Sequence, residues 1–323
     1  MNSDFQLNTD YVPDPSLVLH ALGCRCALHS RRRFAAMLAG AGVAGTLPGL
    51  ALADGVNVGE RSQLSGLVPA EQIEAAAQDQ YRKLLADAAR QRALAPDGHP
   101  QVVRLRAIAQ RLTPHVMAPN LYSTPRAAKW RWEVNLIGSK QINAFCMPGG
   151  KIAFYYGILD QLKLNDDEVA MVMGHEMAHA LREHARERKG KTAVTNGAIE
   201  IGAALLGLGN GGRYLAGLGG QLLTLRFSRS DESEADKVGL DLAARAGYDP
   251  RAGVSLWHKM GQASKGAPPQ WLSTHPAGTA RIQEIEANLP AVTPLYARAD
   301  KPDQRFEPPT ARQAKEDTRS STE

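Results

Sequence analysis

An α+β architecture, mainly helical with a small and mostly antiparallel sheet beside one buried helix, is what this 323-residue sequence predicts. Three observations predict it. Apolar residues recur at helical spacing over 69–92 and 101–116. Two-residue alternation is confined to one stretch near 130–155. A strong helix-start signal at Asn165 then opens a run whose flanks are almost wholly apolar on every side, as suits a helix enclosed by others.

The elements follow in chain order. Ser30-Arg31-Arg32-Arg33-Phe34 leads into a Gly/Ala-rich apolar run ending Ala51-Leu52-Ala53. Paired arginines before Phe, a modest apolar region and an A-x-A box are similar to a twin-arginine export signal; they predict removal of 1–53 and a periplasmic product. The apolar run is short and glycine-rich against the ~20 residues that span a bilayer. The two amphipathic helices come next. Trp130, Trp132, Val134 and Leu136 then alternate with Arg131, Glu133 and Asn135, the pattern of a half-buried strand. Gly138 and Ser139 predict a turn, 141–146 a second strand, Pro148-Gly149-Gly150 a tight turn, and 151–155 a third strand. A peptide could add itself along an exposed edge of such a sheet through main-chain hydrogen bonds.

Asn165, with Glu168 three residues on, has the form of a capping box. In the helix it starts, His175, Glu176 and His179 stand as H-E-x-x-H. Residues four apart share a helical face, so both imidazoles can reach one Zn²⁺ at about 2.0–2.1 Å. Glu176, beside the first histidine, is placed to take a proton from an attacking water. Val172, Met173, Met177, Ala178, Ala180 and Leu181 argue for a helix buried around a site. The pattern predicts a zinc-dependent hydrolase, foremost a peptidase. Charge returns over 182–189, where the helix is expected to emerge into solvent before Gly190 ends it. His184, nine residues after His175, falls on the far side of a continuous helix and reads as a surface histidine.

Two histidines need a third protein ligand, with a fourth position left open. Arg182 and Ala185 stand where a metzincin would carry its glycine and third histidine, so that pattern is excluded. Glu232 and Asp236 lie four apart, hence on one helical face. Glu232 would ligate zinc while Asp236 accepts the other ring N–H of a ligand histidine. Glu234, the rival ligand, faces elsewhere if Asp236 faces the site. His275, ahead of Pro276, is a candidate oxyanion donor. Arg281, near a helix start, would orient that loop or bind substrate.

The blocks N-A-F-C-M-P-G-G over 143–150, H-E-x-x-H over 175–179, S-R-x-x-E-x-x-A-D over 228–236 and S-T-H-P over 273–276, with Arg281 and Ile282, stand in one order. In that order the chain resembles gluzincin metallopeptidases of the HtpX/BepA type, over 101–289. The resemblance implies an α+β zincin fold, one Zn²⁺ per chain, endopeptidase activity on protein substrates, and Glu232 rather than Glu234 as third ligand. It places Asn143 and Ala144 on the substrate-binding edge strand, and it allows His275 to sit on the zinc and plug a resting site. Quality control of misfolded envelope proteins is the role it suggests. Multi-spanning membrane segments and a C-terminal helical-repeat region, both known in the family, are lacking here.

A formal net charge of +5 is slight for this length and does not point to nucleic acid; at most it suggests weak affinity for anionic membrane surfaces. Cys24 and Cys26 leave with the leader, so Cys146 remains without a partner and reads as a small apolar strand residue. The Gly/Ala/Leu-rich stretch 192–220 reads as a mobile helical hairpin over the cleft, or as a lid or membrane-touching patch. A turn is expected over 247–250. From Arg298 the chain is polar, charged and proline-bearing, which predicts a disordered tail over 298–323 and a metallopeptidase domain over 54–297. The competing class is a latent zinc-containing chaperone or adaptor with an occluded site. A zinc aminopeptidase is disfavoured because no G-x-M-E-N segment is present to hold a free amino terminus.

Overall fold

The computed structural model describes residues 55–205, 226–264, 269–275 and 279–309. The export-signal reading of 1–53 and the 206–220 part of the Gly/Ala-rich stretch lie outside the described residues.

The two amphipathic helices form close to their expected limits, as α1 (Ala70–Arg90) and α2 (Pro100–Leu112). Pro100 sits in the first turn of α2, where a missing N–H costs nothing, and His99 Nδ1 accepts the Gln101 N–H at 3.1 Å. Three short strands follow: β1 (Glu133–Ile137), β2 (Ala144–Met147) and β3 (Lys151–Tyr155), in the order β1-β3-β2. β2 pairs with β3 antiparallel, but β1 pairs with β3 parallel. The sheet is therefore mixed rather than mostly antiparallel.

The reason lies in 138–143. Instead of turning back beside β1, this segment crosses the end of β3. Gly157 donates its N–H to the Ser139 carbonyl at 2.8 Å and backs onto the Lys140 carbonyl, where any Cβ would collide. β3 thus becomes the central strand. Its Ile152 and Phe154 enter the main core, while Ala153 joins a second cluster with Ala77 and Tyr81 of α1. β2 is left at the edge of the sheet.

After the short α3 (Tyr156–Gln161) comes α4 (Asp166–Leu181), the H-E-x-x-H helix. Its capping box forms as expected: the Glu168 N–H reaches Asn165 Oδ1 and the Asn165 N–H reaches Glu168 Oε2, both at 2.9 Å. Every residue of α4 except Asp167 is buried, in keeping with its apolar flanks. Buried charges seat its first turn: Arg104 of α2 donates to Asp166 Oδ1 at 2.7 Å, and Lys259 to Glu168 Oε2 at 2.6 Å.

The helix then stops earlier than the sequence suggests. Arg182 caps it, Glu183 takes a left-handed φ of 60°, and α5 (His184–Leu205) sets out in a new direction. Residues 182–189 are consequently no solvated helix end, and Gly190 lies within α5. Residues 192–205 of the expected hairpin belong to the same helix.

The last third is helical: α6 (Arg229–Arg245), α7 (Ala252–Ala263), α8 (Gln270–Thr274) and α9 (Thr279–Arg298). α6 opens with its own capping box between Ser228 and Asp231. It crosses α4 glycine to glycine. A Cβ on Gly239 would stand 2.9 Å from the His175 nitrogen, and one on Gly174 would stand 3.0 Å from the Gly239 carbonyl oxygen.

Beyond α9 the expected disordered tail is in part tied down. The Phe306 N–H donates to Asp166 Oδ2, and Arg305 Nη1 to Asp167 Oδ1, both at 2.8 Å; Gln101 Nε2 donates to the Glu307 carbonyl. Carboxylates at a helix start bind such donors well, so 299–309 closes over the first turn of α4, whereas 310–323 lie outside the described residues. Among the described residues no helix is long and apolar enough to cross a membrane.

The glycine crossing makes a direct expectation. Gly239→Ala should lower stability by about 1–3 kcal/mol through overpacking, read as a fall in the urea midpoint. Gly261→Ala on α7, where a Cβ meets open space, should instead raise it by about 0.5–1 kcal/mol.

Candidate metal centre

Four buried side chains converge where α4, α6 and the 270–275 segment meet: His175, His179, Glu232 and His275. α4 contributes two imidazoles from one face, as its four-residue spacing predicts. Their Nε2 atoms lie 3.2 Å apart. Glu232 enters from the first turn of α6, with Oε2 3.6 Å from His175 Nε2 and Oε1 3.6 Å from His179 Nε2. His275 Nδ1 lies 3.4 Å from His175 Nε2 and 2.9 Å from Glu232 Oε1.

These spacings suit zinc. Ligand atoms about 2.0–2.1 Å from a tetrahedral ion stand roughly 3.3 Å from one another. The donor chemistry also suits it. Burial, and after it the neighbouring His175, His184, His275 and Arg281, hold the His179 pKa well below its usual value, so the ring is neutral and offers a lone pair. Burial works against an ionised Glu232, but the His275 hydrogen bond and the charges around it prevail and lower its pKa.

Asp236, one turn past Glu232, takes the place expected for it. Its Oδ1 is 3.0 Å from His175 Nδ1. It too is ionised despite burial, chiefly because of Arg281. Arg281 clamps it with two 2.7 Å bonds and places Nη1 2.6 Å from Glu232 Oε2, its guanidinium 3.7 Å over the Trp257 ring. The substrate-binding task expected of Arg281 is thus not what its neighbours suggest: it is buried against the two site carboxylates and does not line the cleft.

Glu234, the rival ligand, does face elsewhere. It pairs with Arg182 at 2.9 Å and with His184 Nε2 at 2.7 Å. The expectation that His184 lies on the surface fails: it is 1% exposed, with Nδ1 2.9 Å from His179 Nδ1. The helix break at Arg182 and Glu183 turns it inward, and a continuous helix would not have. Only a conformation at Glu183 carries that information, so spacing could not reveal it.

The cleft beside the cluster is lined by Asn143, Ala144, Cys146, Glu176, Phe227 and His275, among others. Asn143 and Ala144 therefore stand where a peptide edge would lie. Cys146 is half-buried at the cleft wall rather than fully in the core, and burial pushes its thiol pKa well up, so it is protonated.

The cleft is closed. Trp271 of α8, fully buried, donates Nε1–H to Glu176 Oε1 at 2.6 Å and its backbone N–H to the Ile142 carbonyl at 3.1 Å. His275 Nε2 is 3.5 Å from the same Glu176 oxygen. The Ala144 N–H is taken by Asn143 Oδ1 at 3.0 Å. Sequence reasoning missed Trp271, since nothing in its spacing links it to Glu176.

Zinc content separates the acidic candidates. Glu232→Gln should lose stoichiometric zinc, Glu234→Gln should keep it with an affinity lower by no more than several-fold, and Asp236→Asn should bind about 10–100-fold more weakly, read by chelator competition.

Comparison with known proteins gives the chain's relatives. The chain is 32% identical over 217 residues to the mitochondrial metalloendopeptidase OMA1 of Schizosaccharomyces pombe, covering 66% of this chain and 60% of that protein. It is 39% identical over 159 residues to the Arabidopsis thaliana protein of the same name, covering 49% and 32%. It is 31% identical over 156 residues to the metalloprotease LoiP of Escherichia coli, covering 47% and 61%. The chain spans less than two thirds of the length of each of these relatives. Residues 101–289, more than half of the chain and all four converging side chains among them, match peptidase family M48, and the chain belongs to that family.

Proposed function

We propose that this protein is a zinc metalloendopeptidase that cleaves internal peptide bonds of protein substrates and is held closed in the conformation described. One observation carries the reading: a buried cluster of three histidines and one glutamate lies beside both a further carboxylate, Glu176, and an edge strand of the sheet, β2. Zinc bound there would supply a Lewis acid that polarises the scissile carbonyl and acidifies water.

The chain's residues supply the rest. His175, His179 and Glu232 hold the metal. Asp236, clamped by Arg281, keeps a hydrogen on His175 Nδ1 and so leaves Nε2 free to ligate. β2 receives the substrate as an added strand at Asn143 and Ala144. Glu176 takes a proton from the attacking water and returns it to the departing amine. Trp271 and His275 stand against its Oε1 in the closed state, and the reading has α8 and His275 move aside to admit substrate.

Two tasks were open for His275, oxyanion donor or plug. Its Nδ1 points into the ligand cluster, within reach of Glu232, which favours the plug.

The compartment we propose is the bacterial envelope, with misassembled envelope proteins as substrates. The twin-arginine-like 30–34 segment supports this. So does a likeness, 27% identical over 180 residues, to the β-barrel assembly-enhancing protease of Yersinia pestis. A latent chaperone or adaptor is the second reading, and the Trp271–Glu176 bond is the observation in its favour.

Cleavage of an unfolded model protein, with fragments read by mass spectrometry, tests these points together. The zinc-loaded protein should make internal cuts, and chelation should abolish them until zinc is restored. Glu176→Gln should keep zinc and lose activity by about 10²-fold or more. His275→Ala should cut faster than the wild type. Stoichiometric zinc with no cuts, even in His275→Ala, would favour the latent reading.

A further inference from the structure

The proposed reaction gives His184 no task, yet both of its ring nitrogens are engaged inside the protein. Nδ1 faces His179 Nδ1 at 2.9 Å and Nε2 faces Glu234 Oε2 at 2.7 Å. The proton positions follow from the ligand side. His179 turns Nε2 towards His175 and Glu232, so a metal-holding His179 has its lone pair there and its hydrogen on Nδ1. That N–H can only donate to a lone pair on His184 Nδ1. His184 then carries its own hydrogen on Nε2 and donates it to Glu234. Glu234 in turn accepts Arg182 Nε at 3.0 Å and Nη2 at 2.9 Å. Arg182 is itself anchored, donating Nη1 to the carbonyls of Gly59, Leu121 and Tyr122 and Nη2 to that of Glu60.

We infer that His184 is a positioning residue for the metal: with Glu234 and Arg182 it fixes the ring and tautomer of His179. The two ligand histidines are then held alike. His175 rests directly on a carboxylate clamped by an arginine, Asp236 with Arg281. His179 rests on Glu234 with Arg182, through one intervening imidazole. The break at Arg182 and Glu183 makes this possible, since it supplies the clamp and turns the relay inward within three residues.

The inference rests on zinc being held by His179, and its test is zinc affinity in the purified full chain, with the visible spectrum of the cobalt(II)-substituted protein as a second readout. His184→Leu keeps bulk but not the relay, and should weaken zinc binding by about 10–100-fold and shift the cobalt bands. His184→Gln can accept from His179 and donate to Glu234, and should recover most of that loss. Wild-type zinc affinity and bands in His184→Leu would overturn the inference. Equal weakening in the Leu and Gln variants would overturn it too, because lost packing alone would then suffice. Should His184→Leu not fold by circular dichroism, Glu234→Gln carries the test. It should weaken zinc several-fold, and an unchanged affinity would overturn the relay. A wild-type chain that takes up no zinc would instead sink the metal reading itself.

Discussion

The backbones of α4 and α6 touch at Gly174 and Gly239, and the site depends on that contact. Two helices carrying ordinary side chains at their crossing pack with axes about 8–10 Å apart. Here the Gly239 backbone abuts the amide of His175, the first histidine of the cluster. This closeness brings the start of α6 against the histidine-bearing face of α4, so that Glu232 reaches both imidazoles and Asp236 reaches the back of one. The capping boxes at Asn165 and Ser228 set where each helix begins, and hence where along the crossing its functional turn falls.

A site built this way concentrates charge in the interior. Glu176, Glu232, Asp236, Arg281 and Arg182 are all buried. Isolated, each would carry a heavy desolvation penalty; Arg281 offsets it with a bidentate pair to Asp236 and a further bond to Glu232, Arg182 with a bidentate pair to Glu234, and Trp271 with a bond to Glu176. The guanidinium of Arg281 also lies on Trp257, which stacks at 5.2 Å on Trp271, the residue that holds Glu176. The 270–275 segment and the arginine that holds the two site carboxylates therefore share one aromatic platform.

Much of this was legible in the chain. The H-E-x-x-H spacing placed His175, Glu176 and His179, and the four-residue interval between Glu232 and Asp236 placed the pair on one face. Local signals sufficed because the helix period converts sequence distance into direction. Elsewhere tertiary packing decided. Gly138 and Ser139 looked like a hairpin turn, but the close approach of Lys140 to Gly157 sent the chain across β3. His184 looked solvated because the period was extended past a break that Glu183 makes in a left-handed conformation. Arg305 and Phe306 looked like tail residues, since no local pattern announces that Asp166 and Asp167 await them. Trp271 was missed for the same reason: its partner lies 95 residues away.

The Ile142 carbonyl, bound to the Trp271 N–H, has a wider consequence. With its N–H on that oxygen, α8 stands against the residue that precedes β2, so a strand added to this edge would compete with α8 for the space. Binding is then linked to opening, and the apparent dissociation constant is the intrinsic one divided by the open fraction. With one molecule in a hundred open, a strand that fits at about 1 μM would behave as a ligand of about 100 μM. Sparse or folded chains would pass unbound, whereas an accumulation of extended polypeptide would draw the equilibrium over. The enclosure would thus meter activity to the load of unfolded chain with no separate regulator.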